Sequence, residues 1–507
     1  MDFLQILDLP VQPGGLVEWT PTLGDGATAL RSDPRPTSHN HERHLREALA
    51  YQEQTGYTGG RESWLGVAIE FDEPLSIPAI RAALTAWIDR HEVLRSHVVF
   101  ERGDNGSVGV GRLRRYSAGP GSVSLTMSRI GWYHDSGPLI EQVAGWFDRS
   151  TAPIRWPAYC FATVGRQDSF TLLFAGDHSL LDGYSLIMMV PELRTLYHDA
   201  TAGSERTPHR PAPRPAAPAD TIGSYVDFSA AERDDADRST ADHPAVAAWA
   251  SFLAEGMPRY PTLPRCAPAD SAIAGDRPEQ AHGFAVGGYA EGAATAAATR
   301  PQQSLYALLA DDDTTNRFTA VCSGAGTTLF AGVMAALAWA SYERTGSTRF
   351  RAVLPRHTRH QPQWQAALGW FVSLSPFELD LTGVTTFPEL AVRASAELRR
   401  GRVGASLPLL HVAAVLGATD SPRFVISFLD TRASPGADTD DGGAARVLRS
   451  HRYADDEVYL WINRTPGGLR LSARYPGILD TDVRGFAHTV TDVVAEVSTR
   501  SSWQPRA

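Results

Sequence analysis

The stretch Leu172–Met189, LLFAGDHSLLDGYSLIMM, decides how this chain is read. A run of apolar strand-forming residues stops at Asp177–His178, and an apolar helical pattern starts after Gly183. A strand that gives way to a helix through a turn can project a side chain from the sheet edge. His178 is placed to be that side chain, and its near-neutral pKa suits it to take a proton from a hydroxyl or an amine. A plainer reading is equally available, in which His178 is satisfied locally and Asp182 caps the following helix. Asp182 could accept a hydrogen bond from His178, or fix the turn by capping or by pairing with an arginine. The turn that aims His178 outward need not aim Asp182 the same way, which favours the second role. Gly183 is read as the residue that lets the turn tighten.

Working outward, WPAYCFATVG and SFTLLFAG flank the polar turn RQD and read as a hairpin whose second strand ends at His178. YSLIMMVPELRTLYHDA reads as the helix that follows. Upstream, HERHLREALAYQEQTG and PAIRAALTAWIDRHE read as helices, the second with Ile80, Leu84, Trp87 and Ile88 at helical spacing and Pro78 in its first turn. LGVAIEF and VLRSHVVFE read as strands. From Thr201 to about His243 the composition turns to Pro, Ala and charge, which marks a linker, since Pro-rich sequence stays extended and builds no core.

Beyond it, helices over TTLFAGVMAALAWASYERTG and FPELAVRASAELRRG alternate with strands over RFRAVLP, GWFVSLSPFELDL and PRFVISFLD. A hairpin over EVYLWINRTPGGLRLSARY turns at Pro466 and Gly467, and a last helix follows. The expected organisation is an N-terminal lobe over residues 1–200, a linker over 201–243 and a C-terminal lobe over 244–507. Both lobes read as α/β, helices packed on sheets in two layers.

At 507 residues the chain exceeds what one core usually serves, roughly 250–300 residues, so two lobes are expected on size alone. The net charge of -10, with arginines scattered, argues against a nucleic-acid footprint. Cys160, Cys266 and Cys322 lie far apart without metal or redox spacing, which fits a reducing compartment. The start, MDFLQILDLPVQPGG, lacks the basic and apolar regions of a signal peptide, and the most apolar helix is too short to cross a bilayer. A soluble, cytoplasmic monomer with no integral membrane segment is expected.

With these readings in place, the sequence resembles the condensation-domain and chloramphenicol-acetyltransferase-like superfamily. DHSLLDG, Asp177–Gly183, resembles its HHxxxDG signature. RHEVLRSHVVF, Arg90–Phe100, matches its RHExLRTxF segment, and LGWFVSLSPFELDL resembles its GxFxNxLPL segment. FVISFLD, VYLWINR and WTPTLG look most like stand-alone actinobacterial polyketide-associated (Pap-type) acyltransferases, in particular the group that acylates trehalose-based lipids.

The resemblance implies two chloramphenicol-acetyltransferase-like lobes forming a V with a central tunnel. It implies an acyl thioester on coenzyme A or on a phosphopantetheinyl carrier as co-substrate, with no permanently bound cofactor and no metal. His178 would be the general base and Asp182 the structural partner of an arginine, for which Arg95 is the candidate. Ser373, Trp370, Asp177 and Asn463 are candidates for substrate binding or oxyanion stabilisation. Two positions depart from the pattern: Asp177 replaces the first motif histidine and Ser373 a family asparagine.

Each candidate also has a bland reading. Of Trp370 and Phe371, an alternating strand sends one into the core. Ser373 could donate to an oxyanion or simply face solvent. RHTRH, Arg356–His360, could attract phosphates or, through its two histidines, a metal; a solvated basic turn is the plainer reading, and HERH at 41–44 is read the same way. The expected function is transfer of an acyl group to a hydroxyl of a sugar, glycolipid or polyketide-type acceptor, without a covalent intermediate. A carrier protein is a possible partner. The alternatives are amide formation from carrier-bound substrates and a degenerate binding protein.

Overall fold

The computed structural model describes residues 2–24, 29–58, 64–101, 112–204, 222–254, 260–265, 300–418, 420–432, 445–450, 452–453 and 457–499. They divide into two compact units that interleave along the chain. The first comprises Met1–Arg238, His357–Val372 and Ser434–Tyr453; the second comprises Ser239–Arg356, Ser373–Ala433 and Ala454–Ala507. The simple division into 1–200 and 244–507 therefore needs correcting, because two later segments return to the first unit. Within the expected linker, residues 205–221 lie outside the described residues, but Tyr225–Asp237 is a helix. Ser224 caps it, and Tyr225, Val226, Ser229 and Ala236 are buried, so the Pro-rich character stops before this element begins.

In the first unit a seven-stranded sheet runs in the order Asp2–Gln5, Ala445–Arg449, Trp64–Phe71, Phe170–Asp177, Tyr159–Gly165, Gly15–Leu23, Val123–Trp132. Only the first pair is parallel; the remaining neighbours are antiparallel. Phe170–Asp177 lies at the centre and is buried along its whole length, which explains why its sequence is apolar without alternation.

Side chains of alternate strand positions leave on opposite faces. Cys160, Ala162, Leu173 and Ala175 pack with Leu139, Val143 and Phe147 of the helix Ser136–Ser150. On the other face Phe161 and Phe174 meet Trp87 of the helix Ile77–Arg90, and Phe170 meets Tyr197 of the helix Gly183–Ser204. Helices thus cover both faces, one layer more than expected.

Trp19 is fully buried, its Nε1 donating to Thr163 Oγ1 at 3.0 Å, so this part of WTPTLG belongs to the core. A helix His39–Thr55 and a three-stranded sheet of Arg31–Asp33, Leu113–Ser117 and Ser96–Phe100 complete the unit.

The second unit holds a six-stranded mixed sheet in the order Gln303–Ala310, Gly468–Tyr475, Val458–Thr465, Phe424–Asp430, Arg349–His357, Val372–Asp380. One face packs on the helices Asp312–Gly324, Leu329–Thr345, Phe387–Arg400 and Asp480–Thr499. Leu329–Thr345 is apolar almost all round because it is buried almost all round. Among the described residues no single helix is long and apolar enough to cross a membrane. The hairpin turns at Pro466–Gly467, and Gly468 follows at φ 122°, where a Cβ would sit 2.2 Å from the Ala310 carbonyl oxygen.

Candidate functional site: the strand-to-helix turn at His178

The central strand ends at Asp177, and His178–Leu180 forms a single 3-10 turn before the helix Gly183–Ser204 begins. Asp177 Oδ1 accepts from Ser179 N at 2.9 Å, so the last strand residue caps the turn that carries His178. Asp182 caps the helix: its Oδ1 accepts from Ser185 N at 2.7 Å, and its own carbonyl accepts the first helical bond, from Leu186 N at 3.2 Å. Gly183 does not need a left-handed backbone, since its φ lies outside that region and a Cβ there would touch only Phe3 at 4.0 Å. The expected tightening role for Gly183 is therefore not what the turn uses.

The arginine that pairs with Asp182 is Arg359, not Arg95. Arg359 Nη2 donates to both carboxylate oxygens of Asp182, at 3.0 and 3.1 Å, with both side chains almost fully buried. Its Nη1 donates to the carbonyls of Trp364 and Ala367, and its guanidinium lies over the Phe371 ring, 4.1 Å from the centroid. Phe371 N donates to Asp182 Oδ2 at 3.0 Å. One carboxylate thus fastens the motif turn to the segment His357–Val372. Arg95 instead donates to the carbonyls of Ile88, Asp89 and Ala118, closing its own loop.

The RHEVLR segment has a structural task. Arg90, His91 and Trp87 all converge on Glu192 of the motif helix, at 2.6, 2.9 and 3.0 Å. Burial pushes the Glu192 carboxyl up, but His91 and Arg90 outweigh it and hold the group below its ordinary value. The arginines of RHTRH are drawn inward while its histidines stay exposed: besides Arg359, Arg356 donates to Ser375 Oγ at 3.1 Å and is pushed down to about 10 by burial.

The fastened segment brings Trp370 over His178, with ring centroids 4.6 Å apart at 47°, while Phe371 turns into the core beside Tyr225 and Phe228. His178 Nδ1 is buried and meets no partner of good geometry, and Nε2 makes no hydrogen bond to a described residue. Burial lowers the His178 pKa, its own backbone carbonyl opposes that, and His44 lowers it further against Asp177 and Asp182. The ring is therefore kept neutral near pH 7, with a lone pair available to a proton donor.

Asp177 spends its carboxylate on groups other than the His178 ring. Its two oxygens accept from His44 Nε2 at 2.9 and 3.0 Å. Burial pushes this carboxyl up, but His44 and Ser179 hold it at about 2, so it is a carboxylate. His44 comes from HERH, which lies in the helix His39–Thr55 as its pattern predicts but is not simply solvated; its neighbour His41 is buried and bonded to Thr37. The sequence signal that could have found His44 is helical phase, since His41, His44, Leu45 and Ala48 share a face.

Residues 291–427 match the Condensation domain family. The chain is 25% identical over 446 residues to the acyltransferase PapA3 of Mycobacterium tuberculosis, covering 84% of this chain and 83% of that protein. It is 23% identical over 484 residues to the trehalose-2-sulfate acyltransferase PapA2 of Mycobacterium bovis, covering 92% and 91%. The solved PapA2 acyl transferase superposes with a TM-score of 0.77 at 19% identity, over 99% of this chain and 100% of that one. The chain is an acyltransferase similar to the Pap-type enzymes, and its fold is that of the solved PapA2 acyl transferase.

Within this acyltransferase, His178, Asp177, Asp182, Gly183 and Trp370 come together in the first unit. Ser373 and Asn463 belong to the second. The Ser373 hydroxyl is buried and donates to the Leu407 carbonyl at 3.1 Å, so it is not a free oxyanion donor. Asn463 is buried on its strand, with Oδ1 lacking a hydrogen-bond partner. The two described cysteines are buried thiols held protonated by burial, Cys160 well above its usual value and Cys322 at about 12, and neither suits a nucleophile.

Proposed function

We propose that the protein transfers an acyl group from a thioester to a hydroxyl of a sugar or glycolipid, with His178 as the general base. The observation that carries this reading is the division of labour in the turn. Both carboxylates beside His178 are committed elsewhere, Asp177 to His44 and Asp182 to Arg359, which leaves the neutral imidazole without a side-chain partner. In the proposed step the acceptor O–H proton moves to His178 Nε2 as the oxygen attacks the thioester carbonyl carbon. The tetrahedral intermediate collapses by breaking the C–S bond, and the thiolate takes the proton back from His178 to leave as a thiol. An ester is formed, and no acyl-enzyme is required.

The donor is proposed to be acyl-coenzyme A or an acyl group on a phosphopantetheinyl carrier, both of which present the same thioester. The names of the relatives, which include a trehalose-2-sulfate acyltransferase, support a disaccharide acceptor. The test is release of free thiol from palmitoyl-coenzyme A in the presence of trehalose, with the ester product identified by mass spectrometry. His178→Ala should lower the rate by about 10²–10⁴. A folded His178→Ala protein that turns over at the parent rate would overturn the general-base reading.

A further inference from the structure

We propose that His44 is a positioning residue of this site: through its hydrogen bonds to Asp177 it fixes the charge and the geometry of the turn that carries His178. The inference deepens the proposed function and rests on His178 being the base. Three contacts carry it. His44 Nε2 lies 2.9 and 3.0 Å from the two oxygens of Asp177. Asp177 in turn caps the His178 turn through Ser179 N at 2.9 Å. The indole of Trp370 meets both imidazoles, T-shaped to His44 at 5.9 Å and tilted against His178 at 4.6 Å.

The electrostatics follow from the chemistry of the groups. Asp177 is 1% exposed, and an ionised carboxylate accepts hydrogen bonds without donating any, so His44 must carry its hydrogen on Nε2. Without His44 a buried carboxylate one residue from the proposed base would lose its imidazole donor, an arrangement costly in itself and one that would favour the imidazolium form of His178. The pair thus lets the chain carry an aspartate where the superfamily signature has a histidine, while His178 stays neutral.

Among the described residues, the charged and titratable groups that act on the two rings come from the strand and turn, the segment His357–Val372 and the helix His39–Thr55. On the strand and turn they are Asp177 and Asp182, the latter neutralised by Arg359 of the segment His357–Val372. On the helix His39–Thr55 the neighbour is His41, which burial and Arg115 push down to about 3, so it remains neutral. His44 disfavours protonated His178, whereas Asp177 and Asp182 favour it.

The experiment is an NMR titration of the His178 imidazole in the full-length chain labelled with ¹³C-histidine, the signal assigned by its loss in His178→Ala. In His44→Leu, which removes the donor to Asp177, the midpoint should rise by about 0.5 unit or more, roughly a threefold gain in proton affinity. In Asp177→Asn, which keeps an acceptor for Ser179 N, it should fall. Opposite shifts from two partners of one hydrogen bond are not produced by loosened packing. Midpoints that stay within about 0.1 unit of the parent in both variants, or that move in the same direction, overturn the inference. Should His44→Leu not fold, a fall in Asp177→Asn supports it and a rise or an unmoved midpoint overturns it. The two readings fail separately: full thiol release by His178→Ala removes the general base, whereas unmoved midpoints alongside an inactive His178→Ala remove only the role of His44.

Discussion

Asp182 and Arg359 are 177 residues apart in the chain and meet at 3.0 Å, both side chains nearly sealed from solvent. Breaking such a pair leaves one buried charge unanswered, whereas a neutral partner that keeps the hydrogen bonds loses less. Arg359→Met should therefore cost about 3–5 kcal/mol in chemical denaturation. Asp182→Asn should cost less, since Asn can still accept from Ser185 N. Equal losses in the two variants would mean that the cap, not the charge pair, holds the turn.

Lowered by burial, His178 should set an acidic limb in the pH profile of kcat/KM below the ordinary histidine value of 6.5. The sign for stability is the same. The unfolded chain binds a proton at His178 at higher pH than the folded chain does, so this group costs stability as pH falls below 6.5. A limb at or above that value would show that His178 titrates in open solvent.

Trp370 shields one side of the His178 ring, with centroids 4.6 Å apart. Trp370→Phe should keep most of the contact, while Trp370→Ala should lose roughly 0.5–1.5 kcal/mol of it, up to about tenfold in kcat/KM. The His178 midpoint should rise in Trp370→Ala as water reaches the ring. Measuring both separates shielding from bulk.

Gly369 is demanded by its neighbour. A Cβ there would lie 2.4 Å from the Tyr225 ring, which is itself buried, and the Gly369 carbonyl lies 3.0 Å from Ser185 Oγ. Gly369→Ala should cost about 1–3 kcal/mol, and combining it with Tyr225→Leu should cost less than the two separate losses added. Strict additivity would show that the strain is relieved elsewhere.

Glu232, half-buried on the helix Tyr225–Asp237, is pushed by burial up to about 8 from 4.5. Folded protein then keeps the proton that unfolded protein releases, and stability falls as pH rises from 4.5 to about 8. Glu232→Gln removes that loss. Its melting temperature should gain little over the parent at pH 5 and most near pH 8.

The motif strand, its hairpin partner, the turn and the buried core helix could be read from local pattern, because each is written in neighbouring residues. Pairings across hundreds of residues could not. Nothing in Ala445–Arg449 says that it slots between Asp2–Gln5 and Trp64–Phe71, and the two strands of the sheet edge, Gly15–Leu23 and Val123–Trp132, carry too much polar and turn-forming sequence to stand out. Arg359 was hidden because a basic tract reads as solvated until an acid is seen to meet it. His44 was hidden for the same reason, and Asp177 stayed an unexplained departure until that partner was found. The Ser373 reading failed because a strand hydroxyl gives no sign of which carbonyl it will choose.

The interleaving of the two units bears on how the protein is made. When Asp182 leaves the ribosome, its arginine has not been synthesised, and the strand that joins Asp2–Gln5 to the rest of its sheet lies later still. At about 5–20 residues per second, the roughly two hundred residues between Arg238 and Ala445 take ~10–40 s to add. Through that interval the nascent first unit has an open sheet position and an acid beside His178 still without its arginine. A protein cut after Arg238 would keep the motif and lose the means to set it, so splitting this enzyme at the Pro-rich stretch should yield no working half.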